Sequence, residues 1–240
     1  PYGTAMGCIH NWKNKTLILL PGPPKECLPM FQQLVLPLLQ QSIHTDKTIL
    51  RWRIFGLAES EIAETLEQAV APFKCKTGYR LEVPYIEFKV WCTKDQIEQV
   101  KLAVDPILAP YIIAPVEKKA STMLRETILN NGHSLTLIDE ATGGVLETLL
   151  VTPGTHELIH TYGEKQELFF HIKGLNNYWS KESNQGKTQL VIEYGYKNHR
   201  GEEMHEIPFR SANVIYYAAE WVSYRLCRLI EQLLALVPSS

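Results

Sequence analysis

The chain has 240 residues, with 24 basic side chains against 26 acidic ones and a formal net charge of −2. So even a balance leaves no electrostatic footprint for nucleic acid or an anionic membrane surface, and no apolar run approaches the roughly 20 residues of a membrane span. With 45% hydrophobic residues, a core of ordinary size is available to one large domain or two to three small ones.

The first part, residues 1–44, holds KTLILLPGPPKECLPMFQQLVLPLLQ. An apolar run at 16–20 predicts a buried strand. A Pro-Gly-Pro-Pro turn follows, and then Met30, Phe31, Leu34, Val35, Leu38 and Leu39 recur at helical spacing. This is half of an α/β unit, with its loop at the carboxyl end of the strand, where open sheets bind ligands. A single apolar strand of this kind calls for parallel neighbours on both sides. The expectation is that the beginning of this domain is missing from the chain, or that a partner chain supplies those strands.

The second part, residues 45–116, reads as a small two-layer α+β unit. TILRWRIFG predicts a strand, and AESEIAETLEQAV a helix with Ile62, Leu66 and Ala69 on one face and Ser60 as a candidate cap. YRLEVPYIEFKVWC predicts a strand pair or one long strand broken at Pro84. The helix KDQIEQVKLAVDPIL and a closing strand YIIAPV complete a β-α-β-β-α-β order. Glu82, Glu87 and Lys89 are expected on a solvated face.

The third part, residues 117–240, begins with the helix STMLRETILNNG and its glycine stop at Gly132. LTLIDEATGGVLETLL then predicts strand, tight turn and helix. HELIHTYG and ELFFHIKGL read as strands. KTQLVIEYGYKN and EEMHEIPFR read as a hairpin around His199-Arg200-Gly201. A long amphipathic helix, with Ser211 as its cap, closes the chain. Its rings Tyr216, Tyr217, Trp221 and Tyr224 form a stripe that is more often core than interface. HELIHTYG and ELFFHIKGL are too close in sequence to be parallel neighbours. They are expected to form an antiparallel hairpin or to flank a segment missing between Tyr162 and Leu168.

Two turns could carry chemistry. PGPPKE, with Pro21, Gly22, Pro23 and Glu26, is a rigid loop at a helix start, suited to a phosphate with help from Lys25; the competing reading is a plain helix entry. In EATGG, the amides of Thr142, Gly143 and Gly144 could form an anion or oxyanion pocket. Glu140 would place its carboxylate beside that pocket, filling it from within or acting as a base. A simple helix entry competes here too. The histidines His156, His160, His171, His199 and His205 lack acidic partners at ligand spacing, so no metal site is expected. The five cysteines Cys8, Cys27, Cys75, Cys92 and Cys227 are odd in number, scattered and never in C-x-x-C pairs. Buried free thiols in a reducing cytoplasm are the expectation, and PYGTAMGCIHNWKNK has no signal-peptide layout.

These motifs resemble the CinA (competence/damage-inducible protein) family over nearly the whole chain. PYGTAMG with LPGPPKECLPM resembles its P-x-G-T-A-x-G and L-P-G-x-P-x-E-x-x-x-M. RIFGLAESEIAETL resembles its F-G-x-x-E-S-x-L-A, and DEATGG its A-E-S-C-T-G-G. The resemblance implies three domains: the C-terminal part of a molybdopterin-binding-like α/β domain (1–44), a middle α+β domain (45–116) and a C-terminal CinA-type α/β domain (117–240). It also implies nicotinamide mononucleotide amide hydrolysis in the last domain and metal-dependent ADP-ribose cleavage in the first. Thr142, Gly143 and Gly144 match the motif, but Glu140 stands where the serine nucleophile belongs and Ala141 where the cysteine belongs. Of the downstream Y-S-N-x-x-K, Tyr162 is present and Lys165 falls at the wrong spacing; the T-G-I-A-G-P loop is reduced to IKGLNN. Any metal ligands of the first domain would lie before Pro1. The expected protein is therefore a cytoplasmic, homodimeric, CinA-like nucleotide-binding protein of NAD metabolism with an inactive amidase-like domain. An amidase of altered mechanism with Glu140 as base, or a non-enzymatic dimeric scaffold, are the alternatives. Neither nucleic acid nor membrane is an expected partner.

Overall fold

The computed structural model describes residues 3–42, 46–163, 165–181, 186–209 and 211–236. The fold is mixed α/β and α+β, in two compact units, Pro1–Thr48 and Ile49–Ser240. Among the described residues no helix is long and apolar enough to cross a membrane.

In the first unit, the apolar run becomes β2 (Lys15–Leu19), but its neighbour is β1 (Cys8–Trp12), paired antiparallel from Cys8↔Leu19 to Trp12↔Lys15. Among the described residues β2 pairs with β1 alone. Lys13 supplies the positive φ (51°) that a two-residue hairpin turn demands. After the proline loop, α1 (Pro24–Met30) runs through a π-helical segment (Phe31–Val35) into α2 (Leu36–Ser42). The wide turn precedes Pro37, which has no N–H to donate; Leu36 N–H reaches back to Phe31 O instead. Met30 and Val35 are this unit's buried hydrophobic residues among those described, and they line a cavity of about 520 Å³ with Met6, Ile9, Leu20 and Leu34.

The second unit opens with a three-stranded sheet in the order β3 (Lys47–Phe55), β5 (Tyr85–Thr93), β4 (Lys76–Glu82). YRLEVPYIEFKVWC is thus a strand pair, in register from Lys76↔Trp91 to Glu82↔Tyr85. Helices α3 (Glu59–Val70) and α4 (Ile97–Leu108) bury Leu66, Val100 and Val104 against Ile54, Phe88 and Val90. Ser60 does not cap α3. It lies inside the first turn, and the Glu61 carboxylate accepts the Ala58 N–H at 2.5 Å. The closing strand YIIAPV is also absent. Residues 109–111 form a 3₁₀ turn and 112–116 are irregular, because prolines 110 and 115 bracket the segment and cannot donate to a ladder. Ile113 and Ala114 pack against Phe55 and Tyr85 instead. Glu87 is not solvated: it is 5% exposed, with Arg80 Nε at 3.0 Å, Lys89 Nζ at 3.4 Å and Arg51 at 3.8 Å. Glu82 is half-buried between Arg53, Arg80 and Lys119.

The larger sheet has the order β10 (His199–Phe209), β9 (Gly186–Tyr196), β8 (Leu168–Gly174), β6 (Leu135–Asp139), β7 (Ile159–His160). Strands β7 and β8 both run parallel to β6, on its opposite sides, so that Leu135 pairs with Ile159 and with Leu168. They are not the expected antiparallel hairpin. HELIHTYG yields only a two-residue strand because turns occupy residues 153–158. Buried Thr155 holds those turns, donating to Leu150 O at 2.5 Å and accepting Thr152 N–H. The β9–β10 hairpin turns at Lys197–Asn198, two residues earlier than expected. One face of this sheet packs on α5 (Ala120–Asn131), α6 (Val145–Leu150) and α8 (Val214–Leu236), with Leu137, Phe170, Ile172, Leu226 and Ile230 in its core. Asn213 O begins α8 by accepting from Tyr216 and Tyr217; the Ser211 hydroxyl accepts Asn213 N–H at 3.2 Å, one turn position earlier than a cap. Tyr217, Trp221 and Tyr224 pack on Phe55 and Tyr85, while Tyr216 stays exposed.

Candidate functional site at the turn after strand β6

LTLID builds a strand because its apolar residues fit a sheet buried on one face and flanked by parallel strands. The chain then leaves β6 beside the end of β8, where Glu140 N–H donates to Ile172 O at 2.9 Å. Gly143 and Gly144 carry φ of 66° and 88°, a conformation that costs glycine nothing, and α6 starts from Gly144.

Asp139 organises this turn. Its Oδ1 accepts the N–H groups of Ala141 at 3.1 Å and Thr142 at 2.9 Å, and its Oδ2 accepts the Thr142 hydroxyl. The same hydroxyl oxygen accepts Leu146 N–H at 2.9 Å. Thr142 is 1% exposed, so neither its amide nor its hydroxyl is turned to solvent. Sequence reasoning placed a carboxylate in the pocket but chose Glu140; the one that enters is Asp139. Among the described residues the N–H groups of Gly143 and Gly144 have no acceptor.

Trp179, on the short helix α7 (Asn176–Trp179), covers the turn. Its Nε1–H donates to Ala141 O at 2.8 Å, and its ring lies so close that a Cβ on Gly143 would come within 2.8 Å of it. Beyond Gly144 an open groove of about 570 Å³ runs along Glu147, Thr148 and Leu149 to Tyr216.

Glu140 points the other way. Its Oε2 lies 2.9 Å from His171 Nε2, a contact not aligned as a hydrogen bond. His171 Nδ1 lies 3.3 Å from Glu193 Oε2, and Lys173 Nζ donates to Glu193 Oε1 at 2.5 Å. His171 sits directly opposite Glu193 on the β8–β9 ladder. The hydrogen bond from Lys173 holds the Glu193 carboxyl below its usual range, and the same bond raises Lys173. Glu193 thus stays ionised beside the imidazole. The alternation in LFFHIKG, which puts His171 and Lys173 on one face, was the available signal for this row; Asp139 and Trp179 gave no comparable one.

The remaining candidates do not gather here. Tyr162 is 87% exposed, and Lys165 Nζ sits 3.2 Å above the centre of the Phe169 ring. In the first unit, Gly22 and Pro23 are exposed, and Pro23 O accepts Glu26 N–H and Cys27 N–H at the start of α1. The Glu26 carboxylate folds against Gly3, where a Cβ would lie 2.0 Å from Oε1. Among the described residues no three His, Cys, Asp or Glu side chains converge on a metal position.

No family model matches the chain. A "Putative competence-damage inducible protein" of Clostridium kluyveri is 32% identical over 166 residues, 64% of this chain and 40% of the relative. A protein of the same name from Thermoanaerobacter pseudethanolicus is 29% identical over 153 residues, 60% of this chain and 37% of the relative. A "CinA-like protein" of Shewanella halifaxensis is 25% identical over 167 residues, 67% of this chain and 39% of the relative. The chain is similar to proteins of the CinA family. It spans about two fifths of the length of the curated CinA relatives it matches. Set against the CinA motif A-E-S-C-T-G-G, its turn keeps the threonine and both glycines as backbone geometry, while Glu140 faces His171 rather than the glycine amides.

Proposed function

We propose that this chain is a CinA-like nucleotide-binding protein whose C-terminal turn does not hydrolyse amides. The observation behind this reading is that Glu140, at the serine position of the motif, turns to His171, with Ala141 beside it at the cysteine position. Acyl transfer at such a turn needs an oxygen or sulfur nucleophile, and residues 140 and 141 offer no hydroxyl or thiol. In this reading residues 1–44, 45–116 and 117–240 are three evolutionary domains, and any ADP-ribose pyrophosphatase activity, with its divalent metal, belongs to the first, through the loop Pro21, Gly22, Pro23 and Glu26. Ligand binding at the turn falls to the free amides of Gly143 and Gly144. The protein is taken to act as a cytoplasmic homodimer in NAD metabolism.

The test is ammonia release from nicotinamide mononucleotide, expected to be no faster than for a Glu140→Ala control. A thermal-shift series with nicotinamide mononucleotide and ADP-ribose checks the binding itself, since a ligand of the native state raises the melting temperature. No shift with either overturns nucleotide binding.

The row Glu140, His171, Glu193 favours a second reading, in which Glu140 acts as general base on water. Turnover that Glu140→Gln abolishes would establish it.

A further inference from the structure

Strands β4 and β5 are in register from Lys76↔Trp91 onward. The next rung outward therefore sets Cys75 opposite Cys92. The two side chains share a face with Tyr79, Phe88 and Val90, which lie at even spacing from them along the strands and in the core cluster with α3 and α4. Cys92 lies in the core cluster beneath those helices and Cys75 packs on its edge. Opposed residues of an antiparallel pair have Cα atoms about 4.5–5.5 Å apart, inside the roughly 4.4–6.8 Å that a disulfide spans.

We propose that Cys75 and Cys92 are a redox dithiol that closes to an intramolecular disulfide, with a small-molecule disulfide such as oxidised glutathione as oxidant. Cys75 is half-buried and is the thiol an oxidant reaches; Cys92 is 2% exposed. The Cys75 thiolate attacks one sulfur of the oxidant, forming a mixed disulfide and releasing one thiolate. The Cys92 thiolate then attacks Cys75 Sγ, forming the protein disulfide and releasing the second thiolate. The two cysteine protons end on the two glutathione thiols, and the cysteines lose two electrons to the oxidant. Burial pushes both thiols up, and charge on Cys75 and on Asp95 pushes Cys92 further. The exchange therefore needs a sustained excess of oxidant.

The bond would fasten a corner already tied by polar contacts. Gln96, at the start of α4, donates to Phe73 O at 3.1 Å and accepts Thr93 N–H at 3.1 Å, and the Cys75 thiol points to Gln96 Oε1 at 3.7 Å. Closing the bond clamps the open end of the hairpin.

The full chain is incubated with excess oxidised glutathione in native buffer, its remaining thiols are alkylated, and its peptides are mapped by mass spectrometry. The expected product is a Cys75–Cys92 linked peptide, reversed by reductant, with a melting temperature several degrees higher than the reduced chain. In Cys75→Ser, both the link and the temperature shift disappear. In Cys92→Ser, if it folds, a glutathione adduct persists on Cys75. A glutathione adduct left standing on Cys75 in the unsubstituted chain overturns the proposal. So does exposed Cys8 reacting while Cys75 and Cys92 both remain alkylatable.

Discussion

Tyr85 Oη donates to Glu220 Oε2 at 2.6 Å, joining positions 135 apart in the chain. Ser121 completes the arrangement: its hydroxyl donates to Glu220 Oε1 at 2.6 Å and its N–H to Oε2 at 3.1 Å. Ala120 N–H donates to the Tyr85 oxygen at 3.1 Å. Glu220 is 2% exposed, so α8 holds a buried carboxylate whose partners come from β5 and α5. This couples the small sheet to the large one through directed bonds as well as through the aromatic packing of Phe55 on Trp221.

Removing the carboxylate leaves a phenol and a serine hydroxyl buried without acceptors. Glu220→Ala is expected to cost about 3 kcal/mol, since each orphaned buried group costs roughly 1–3 kcal/mol. Tyr85→Phe is expected to cost less, and the double variant much less than the sum. Urea denaturation of the four chains measures the coupling.

Gly143→Ala meets two obstacles, a positive φ of 66° and the Trp179 ring 2.8 Å from the added methyl. The expected loss is about 2 kcal/mol. Because the methyl displaces the indole from Ala141 O, tryptophan fluorescence is expected to shift to longer wavelength. Trp179→Ala in the same chain is expected to recover part of the loss, with the strain in φ remaining.

Asp139→Ala removes the acceptor for two amides and a hydroxyl, and is expected to destabilise the chain by ~2 kcal/mol. Asp139→Asn, which keeps one oxygen, is expected to cost about half as much. Amide exchange at Thr142, read by NMR, is expected to accelerate in both.

Burial first, and then the nearby Glu67 and Glu59, push the Tyr79 hydroxyl up to about 12. In the unfolded chain it titrates near 10. Above that value the unfolded state gives up a proton that the folded state keeps, so stability falls as pH rises from about 10 to about 12. Below pH 10 the contribution is fully present. Tyr79→Phe is expected to flatten this decline, measured as the urea midpoint between pH 9 and pH 12. A decline equally steep in the variant would assign the loss to other groups.

Local signals in the sequence were sufficient for the strand, glycine turn and helix around Gly143–Gly144, and for α8, whose apolar face spans more than twenty residues. They failed where pairing decides the outcome. The strand β1 has no strong alternation and exists because Lys13 lets it fold back on β2. Ile159–His160 is a strand only because Leu135 offers a free edge. Glu87 looked like a surface residue because nothing local tells that Arg51 and Arg80 will close over it. The same holds at the candidate site. Glu140 meets His171 only through the β6–β8 register, a relation no window of consecutive residues contains.

Glu87 has a consequence for what the small sheet can attract. Arg51, Arg80 and Lys89 converge on that one carboxylate, which cancels part of their charge. In a chain carrying alanine at this position, Arg51 and Lys89 would lose that partner, while Arg80 would keep Glu82. One buried acid thus lowers the positive potential of this strand face.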